Sequence, residues 1–348
     1  MKFKTFFFAL LIAAVCLPFA GCARTVKPTQ TINVYNWGEY IDESVNAEFT
    51  KETGIRVNYT TYATNEELYS KLKAGGVNYD VVVPSDYMIS RMISENMLEK
   101  IDFSQVPNYK DIGKKYHNLA YDPNDTYSVP YMWGTVGIIY DKTKVTGNVN
   151  SWNILWDARY KGQILMFDNS RDSIGIALKK LGYSYNTINQ SQLEQAAAEL
   201  TKQKPLVQAY VMDQIFDKME GGEALIAPYY AGDAITMMQE NPNLAFAVPK
   251  EGTNFFVDAM AIPKGALNKK AAETYINFMC SAKICAKNAE YTGYSTPSGA
   301  ALKLLPASLR DNIIAYPGDS VLNKSETYTN LPESILKLYD QLWTQVIS

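Results

Sequence analysis

Five short segments of the chain place an aromatic ring beside an acid or a hydroxyl group, each next to an apolar run typical of a strand. They are Asn36-Trp37-Gly38-Glu39-Tyr40, Pro84-Ser85-Asp86-Tyr87, Phe167-Asp168-Asn169-Ser170-Arg171-Asp172, Phe255-Phe256-Val257-Asp258 and Tyr291-Thr292-Gly293-Tyr294. If the fold brings them together, they form a box of aromatic faces and carboxylates, which suits an organic polycation and disfavours an anion. The chain is therefore interpreted first as a binding protein.

The elements that must position these segments alternate between strand and helix patterns. Residues 32–35 and 55–59 alternate apolar and polar side chains, and a helical pattern lies between them and stops at Gly54. A capping box at 64–67 opens a second helix, and the buried-strand run 80–83 follows it. Further strands are predicted at 136–140, 164–167 and 244–248, with a helix around 174–181. This βαβαβ order predicts an α/β fold with a mostly parallel sheet, and ligands bind at the carboxyl ends of such strands.

The sequence contains few candidate catalytic residues. The chain has one histidine, His117, so a metal site with two His ligands is excluded, and we expect His117 to be a satisfied or exposed surface residue. No nucleophile elbow, phosphate-binding loop or dinucleotide fingerprint is present. Asp172 and Asp258 could flank a sugar in an aromatic cleft, which leaves a glycosidase as a less favoured alternative. No cofactor and no metal site are predicted.

The first residues have the pattern of an export signal. Lys2 and Lys4 precede an apolar run that ends near Ala20 and is short for a membrane span, so residues 1–21 are predicted to be a signal peptide. Ala20-Gly21-Cys22 resembles a bacterial lipobox, which predicts that Cys22 is lipidated and that residues 22–30 form a flexible tether. A plain signal-peptidase cut after Ala23 is the alternative. Either way, the mature chain is expected outside the cytoplasm.

Charge and length limit the partners and the domain count. Without residues 1–21 the chain keeps 31 basic and 36 acidic residues, a balance that argues against nucleic acid or an anionic surface as partner. Roughly 320 residues exceed what one core usually serves, so two domains are expected. No linker or low-complexity segment marks a boundary, and the two domains are therefore expected to be interwoven.

Two cysteines remain after export, Cys280 and Cys285, in the helical stretch 275–289. A separation of five residues on a continuous helix points the two side chains apart, which favours two buried thiols. A helix break at Ser281, a good N-cap residue, would keep a disulfide possible.

Several runs of sequence resemble one known family. They are Val34-Tyr35-Asn36-Trp37-Gly38-Glu39-Tyr40-Ile41, the run 49–57, Asp80-Val81-Val82-Val83-Pro84-Ser85-Asp86-Tyr87, the run 127–134, the run 179–183 and Val257-Asp258-Ala259-Met260-Ala261-Ile262-Pro263. In this order they look like the spermidine/putrescine-binding proteins of bacterial ABC importers. The resemblance covers nearly everything from Thr31 to the C-terminus.

The resemblance implies a two-lobe periplasmic-binding-protein fold of type II, with crossover hinge strands and a polyamine held in the cleft. Lobe 1 would comprise 31–136 and 257–302, and lobe 2 would comprise 137–256 and 303–348. The implied partners are a polyamine, the permease and ATPase of an ABC importer, and the membrane through the N-terminal lipid. A polyamine sensor, or a binder of another cationic or neutral small ligand, would use the same pocket and remains an alternative.

The resemblance also implies the site residues. The predicted ligand-binding residues are Trp37, Tyr40, Ser85, Tyr87, Asn169, Asp172, Tyr230, Phe256, Asp258 and Tyr294. Departures from the family pattern lie at Gly38, where the family has threonine, at Asn169, where it has an acid, and at Tyr230 and Phe256, where it has tryptophan. These departures leave the choice between putrescine and spermidine open. Asp86 and Asp233 are interpreted as helix caps, and Glu39 as a solvent-facing residue.

Overall fold

The computed structural model describes residues 30–147 and 149–348. The predicted signal peptide, the lipidation site Cys22 and the tether up to residue 29 lie outside the described residues. The described strands are β1 (Gln30–Trp37), β2 (Ile55–Tyr62), β3 (Val81–Val82), β4 (Ser128–Asp141), β5 (Ile164–Phe167), β6 (Val207–Val211), β7 (Ile226–Tyr230), β8 (Leu244–Ala247) and β9 (Phe255–Ala261).

The strands form two half-sheets that share one long strand. The first half has the order β2-β1-β3-β9-β4, and the second has β6-β5-β7-β4-β8, so the same permuted order occurs twice. Within each half the pairs around β1 and β5 are parallel, and the crossing strands β4 and β9 run antiparallel to their neighbours. This is the two-lobe periplasmic-binding-protein fold, as the resemblance implies. The sheet is mixed, because the strands that connect the halves run antiparallel to their neighbours, so the mostly parallel sheet predicted from the βαβαβ order is wrong.

Strand β4 is the continuous connection between the halves. Its residues 128–135 pair with β9, whereas residues 136–140 pair with β7. Almost every residue of β4 is buried, because it has packed elements on both faces. The change of partner at Thr135 and Val136 marks the boundary between the two half-sheets.

Helices cover the half-sheets. They are α1 (Ser44–Thr53), α2 (Asn65–Ala74), α3 (Asp86–Ser94), α4 (Ser170–Lys180), α5 (Gln190–Gln203), α6 (Ile215–Glu220), α7 (Ala231–Glu240), α8 (Lys269–Met279), α9 (Ala282–Thr292), α10 (Gly299–Leu302), α11 (Ala307–Arg310), α12 (Asp319–Leu322) and α13 (Glu333–Ile347). Throughout the described part of the chain, no helix has the length and apolar content needed to cross a bilayer.

The predicted element boundaries have local causes. Gly54 ends α1 with a left-handed backbone (φ 74°) and donates its N–H to the Thr50 carbonyl. At the start of α2, the Thr64 hydroxyl accepts from the Glu67 N–H at 3.1 Å, and the Glu67 carboxylate accepts from the Ala63 N–H at 2.9 Å. The strands and helices predicted from the sequence are confirmed, with ends shifted by a few residues.

The helix break considered at Ser281 is present. Helix α8 ends at Met279, Ser281 occupies the N-cap position of α9, and α9 begins at Ala282. Cys280 and Cys285 are both buried free thiols. The expectation of two buried thiols is confirmed.

The C-terminal segment contacts both halves in turn. The Thr296 N–H donates to the Tyr316 hydroxyl at 3.2 Å, whereas α13 packs on α4 and α5. Between these contacts, Glu326 bonds through its backbone to Thr253 and Phe255. We propose that the chain passes from the first lobe to the second for the last time near Glu326. The lobe boundaries predicted from the sequence place this last passage after residue 302.

Candidate ligand-binding site

A cavity lies between the two half-sheets, at the carboxyl ends of several strands. Its empty volume is about 730 Å³ and is partly continuous with solvent. All ten predicted site residues line it: Trp37, Tyr40, Ser85, Tyr87, Asn169, Asp172, Tyr230, Phe256, Asp258 and Tyr294. Trp37 ends β1, Tyr230 ends β7, and Asn169 and Asp172 follow β5, so the topology explains why distant segments meet here.

Asp258 is a buried acid in the wall of the cavity. It lies on β9 and is 4% exposed, and its Oδ2 accepts from the Tyr40 hydroxyl at 2.7 Å. Its Oδ1 has no hydrogen-bond partner among the described residues. Burial raises the pKa of Asp258 to about 6; the hydroxyls of Ser85 and Tyr40 oppose this rise, and the charge of Asp172 adds to it. Oδ1 is therefore a buried acceptor for which no donor in the described part of the chain has hydrogen-bond geometry.

Asp172 is held differently, by three donors. Its Oδ2 accepts from Asn169 Nδ2 at 2.9 Å and from the Tyr230 hydroxyl at 2.7 Å, and its Oδ1 accepts from the Tyr328 hydroxyl at 3.0 Å. Asn169 is also the N-cap of α4, because its Oδ1 accepts from the Asp172 N–H at 2.8 Å. One asparagine thus begins the helix and orients the carboxylate.

Asp233 lies in the cavity wall and not at the end of its helix. Tyr230 is the N-cap residue of α7, and Asp233 stands in the first turn with its Oδ2 accepting from the Tyr294 hydroxyl at 2.8 Å. Burial raises the pKa of Asp233; the Tyr294 hydroxyl opposes this, and the charges of Asp213, Glu39 and Asp258 add to it. The interpretation of Asp233 as a cap is therefore wrong.

The prediction that Asp86 caps its helix is also wrong. Ser85 is the N-cap residue of α3, and Asp86 is a buried residue, 2% exposed, at the first helical position. Its carboxylate accepts from the Tyr87 N–H at 2.6 Å and from the Val257 N–H at 3.3 Å, so it joins α3 to β9. Burial raises the pKa of Asp86 to about 8, and the charge of Asp258 contributes.

A hydrogen-bonded pair, Tyr87 and Glu66, lies on the first half of the molecule. The Tyr87 hydroxyl donates to Glu66 Oε1 at 2.9 Å, and Glu66 lines the cavity. Burial raises the pKa of Glu66, and the Tyr87 hydrogen bond opposes the rise. Nearby, Ser85 is fixed by Asn65, which donates its Nδ2 to Ser85 Oγ at 3.1 Å and accepts from the Ser85 N–H at 3.1 Å.

Aromatic rings close the remaining walls. The Trp37 indole donates to the Val83 carbonyl at 2.9 Å, which fixes the plane of its ring. Tyr294 meets Tyr40 edge to face at a centroid distance of 4.6 Å, and Phe256 meets Tyr230 at 5.6 Å and Tyr294 at 6.2 Å. These rings offer faces and edges that can contact methylene groups and cations.

The cavity is acidic. Five carboxylates line it, from Glu66, Asp172, Asp213, Asp233 and Asp258, and Arg171 is the one basic residue among the described residues that do so. Arg171 is 3% exposed and stacks on Tyr328 at 4.5 Å and Tyr87 at 5.2 Å, and its Nε and Nη1 have no hydrogen-bond partner within the described chain. The lining therefore carries a large excess of negative charge.

The sequence gives no prediction of several lining residues, among them Asp213, Glu66 and Tyr328. Asp213 follows β6. The alternating run 207–211 is a strand signal, and an acid just after such a strand is a candidate site residue. Glu66 stands next to Glu67, which forms the expected capping interaction, and two neighbouring acids at a helix start carry no signal of which one faces a cavity. Tyr328 lies in an irregular C-terminal segment that carries no sequence signal of its position.

Two further residues with sequence-based predictions, His117 and Glu39, are not part of the cavity lining. His117 has both ring nitrogens within hydrogen-bond distance of partners, Asp125 Oδ2 at 3.2 Å and the Ile112 carbonyl at 3.1 Å, and it is confirmed as a satisfied residue. Glu39 is exposed, as expected.

Comparisons with known proteins agree on one family. A family model described as bacterial extracellular solute-binding protein matches residues 78–323, and one described as hypothetical lipoprotein (MG045 family) matches residues 1–125. The spermidine/putrescine-binding periplasmic protein of Salmonella typhimurium is 38% identical over 319 residues, 91% of each chain.

Solved structures give the same result. A putative spermidine/putrescine ABC transporter from Listeria monocytogenes is 41% identical with a TM-score of 0.89, over 91% of this chain and 98% of that one. A spermidine/putrescine ABC transporter substrate-binding protein from Streptococcus pneumoniae is 38% identical with a TM-score of 0.78, over 92% of this chain and 99% of that one.

Proposed function

This chain belongs to the family of bacterial extracellular solute-binding proteins, and from that premise we propose that it is a polyamine receptor. It binds putrescine or spermidine outside the cytoplasm and delivers the ligand to the permease and ATPase of an ABC importer. The observation that carries the proposal is the acidic and aromatic lining of the cavity, in which Asp258 Oδ1 is a buried acceptor with no hydrogen-bond donor among residues 30–147 and 149–348.

The lining fits the chemistry of a polyamine at each of its parts. Ammonium groups would donate charge-assisted hydrogen bonds to the carboxylates, which are roughly twice as strong as neutral ones. Methylene groups would lie against the rings of Trp37, Tyr40 and Phe256, and a cation over such a ring gains about 0.5–2 kcal/mol. At neutral pH a cationic ligand relieves the mutual repulsion of the ionised acids and a neutral ligand does not, which makes the site selective against neutral ligands.

Contacts between the proposed lobes support closure over the ligand. Tyr294 of the first lobe donates to Asp233 of the second, and the ring of Tyr87 of the first receives the guanidinium of Arg171 from the second. Strand β4 runs through both lobes, and the segment 248–254 leads from β8 in the second lobe to β9 in the first; these two crossings would act as the hinge. Hinge closure is a general switching mode for two-lobe binders.

Lipid anchoring through Cys22 is part of the proposal. The lipobox-like Ala20-Gly21-Cys22 supports it, as does the lipoprotein family match that begins at residue 1. Replacing Cys22 with serine should move the protein from the membrane fraction to the soluble fraction, and unchanged membrane association would contradict the anchor.

We propose further that the site binds without catalysis. In the glycosidase alternative, Asp172 would need an open oxygen to act on a sugar, but its carboxylate accepts three side-chain hydrogen bonds. A polyamine sensor would use the same cavity, and loss of polyamine uptake on deletion of the protein separates the importer from the sensor.

The test is isothermal titration of the chain from residue 23 onward with putrescine, spermidine, spermine and a sugar. A polyamine should bind with a dissociation constant near 1 μM or below, which corresponds to about −8 kcal/mol, while the sugar gives no heat. Absence of polyamine binding, together with no thermal stabilisation by any polyamine, would overturn the proposed function.

A further inference from the structure

An irregular segment, residues 327–331, leads from Glu326 to helix α13. Glu326 pairs with Thr253 and Phe255 through backbone hydrogen bonds, but residues 327–331 form no backbone–backbone hydrogen bond anywhere in the described chain. Side chains must therefore set the course of this segment. The segment matters for ligand binding because it contains Tyr328, whose side chain lines the cavity.

Asn186 holds the segment on both sides of Tyr328. Its Nδ2 donates to the Thr327 carbonyl at 2.8 Å, and its Oδ1 accepts from the Thr329 N–H at 2.9 Å. One side-chain amide thus satisfies the backbone acceptor before Tyr328 and the backbone donor after it. Asn186 lies in the loop between α4 and α5, in the second half of the molecule, and is not part of the cavity lining.

Two more side chains of the second half hold the residue just before the segment. Ser184 Oγ donates to Glu326 Oε2 at 2.5 Å, and Lys179 forms an ion pair with the Glu326 carboxylate. Lys179 belongs to α4, and Ser184 belongs to the loop that contains Asn186. The segment is therefore bound at several points to the second half, and it should move with that half.

Tyr328 extends this connection to the first half. Its ring meets the ring of Tyr87, on α3 of the first half, edge to face at a centroid distance of 5.8 Å, and it meets the ring of Tyr185 at 5.4 Å. The Arg171 guanidinium lies 4.5 Å from the Tyr328 ring and 5.2 Å from the Tyr87 ring. The contact between Tyr328 and Tyr87 joins the two halves, so it can form only while the halves are close together.

We propose that Asn186 is a positioning residue for ligand binding: it holds Tyr328 where its ring meets Tyr87, and so it stabilises the closed arrangement of the two halves. The inference rests on the proposed polyamine-binding function. Release of the ligand requires the halves to separate, and a contact that is lost on separation slows that step. Because Asn186 does not line the cavity, its effect should be the same for every polyamine.

The test measures association and dissociation rates of putrescine and spermidine by stopped-flow tryptophan fluorescence. The proteins are the wild type, Asn186→Ala, Tyr328→Leu and the double variant. Tyr328→Leu keeps an apolar side chain in the buried position and removes the ring. The matched control is Asn243→Ala, which changes an exposed asparagine of the second half outside the cavity lining. Thermal unfolding of each variant establishes that it is folded.

Asn186→Ala should speed the dissociation of both ligands about fivefold and leave their association rates within about twofold of the wild type. Tyr328→Leu should speed dissociation about tenfold or more. The double variant should release ligand no faster than Tyr328→Leu, because Asn186 acts through Tyr328. Asn243→Ala should behave as the wild type does. A merely structural role of Asn186 would lower the number of folded binding sites and leave the dissociation rate unchanged.

An unchanged dissociation rate in Asn186→Ala, or different changes for the two ligands, would overturn the positioning role while leaving the polyamine receptor intact. A double variant in which the two accelerations multiply would show that Asn186 does not act through Tyr328, and this would overturn the role as well. If the wild type binds no polyamine at all, the proposed function itself fails, and the inference with it.

Discussion

At the scale of single residues, the two central acids of the cavity differ in how their charge is satisfied. Asp172 accepts from three side chains, so its carboxylate is stabilised before any ligand arrives. The Asp258 Oδ2 accepts from the Tyr40 hydroxyl, whereas its buried Oδ1 has no hydrogen-bond partner among the described residues. A buried charged oxygen without a hydrogen bond raises the free energy of the protein. A ligand that donates a hydrogen bond to that oxygen therefore gains the most binding free energy there. Asp258 is therefore expected to contribute more to affinity than Asp172.

Replacing Asp258 with asparagine tests that expectation. The amide keeps the shape and the contact with Tyr40 but removes the charge that an ammonium group would meet. We expect polyamine affinity to fall at least about 100-fold, roughly 2.7 kcal/mol, measured by titration calorimetry. The control is Asp217→Asn, which removes an exposed acid on α6 outside the cavity lining and should bind polyamine as the wild type does. Affinity within about threefold of the wild type would remove Asp258 from the site.

The raised pKa of Asp258 predicts how affinity depends on pH. Polyamine ammonium groups stay charged below pH 8, so binding requires Asp258 to be ionised, and its pKa of about 6 means that protons compete with the ligand below that value. Affinity should be nearly constant above about pH 7 and should fall by up to about tenfold per unit below about pH 6. Titrations from pH 5 to 8 measure this. The Asp258→Asn variant should show a flatter profile, and a flat wild-type profile would contradict the assignment.

At the scale of secondary structure, Asp86 connects two elements that carry site residues. Its carboxylate accepts from the backbone of Tyr87 on α3 and from Val257, the residue before Asp258, on β9. The adjacent Ala259 N–H donates to the Pro84 carbonyl at 3.1 Å. These bonds hold the start of α3 against β9 and so set the positions of Tyr87 and Asp258 relative to each other.

Asp86 should also influence stability as pH changes. Its pKa rises from an unfolded value near 4 to about 8, so the folded state retains a proton that the unfolded state releases. Its contribution to stability is complete below about pH 4 and is lost as pH rises toward 8. Asp86→Asn should therefore reduce the loss of stability between pH 5 and 8 by about 1 kcal/mol or more, measured by urea unfolding. An identical pH dependence in variant and wild type would contradict this role.

Most strands and helices could be predicted from the sequence, because the patterns that indicate them involve only neighbouring residues. The alternating runs that became β1 and β2, and the Gly54 stop between them, depend on neighbouring residues only. The roles of Asp86 and Asp233 could not be predicted, because an acid near a helix start looks the same whether it caps the helix or faces a cavity. Tyr328 reaches Asp172 from 156 residues away in an irregular segment, and no local pattern encodes such a contact.

At the scale of the whole molecule, the cavity is a property of both halves together. Glu66, Tyr87 and Asp258 come from the half that contains β1, whereas Asp172, Asp213 and Asp233 come from the half that contains β5. Neither half alone encloses a ligand. Relative movement of the halves about β4 and about the segment 248–254 that leads into β9 would therefore admit the ligand and then enclose it.

Tyr294 should stabilise the closed arrangement through its hydrogen bond to Asp233. Tyr294→Phe keeps the ring and removes the bond between the halves, so polyamine affinity should fall about fivefold to tenfold. Small-angle scattering should show that the variant needs more ligand to reach the same decrease in radius of gyration. The control is Tyr183→Phe, whose hydroxyl bonds to Gln195 on the exposed surface. Equal ligand requirement in Tyr294→Phe and the control would contradict a role in closure.

The most direct test of the central claim is a crystal structure of the protein with spermidine bound. The account predicts that the ligand occupies the cavity between the two half-sheets, with one nitrogen about 2.7–3.1 Å from Asp258 Oδ1 and with its methylene groups against Trp37 and Phe256. Spermidine bound elsewhere, or in the cavity with no nitrogen near Asp258, would contradict the account.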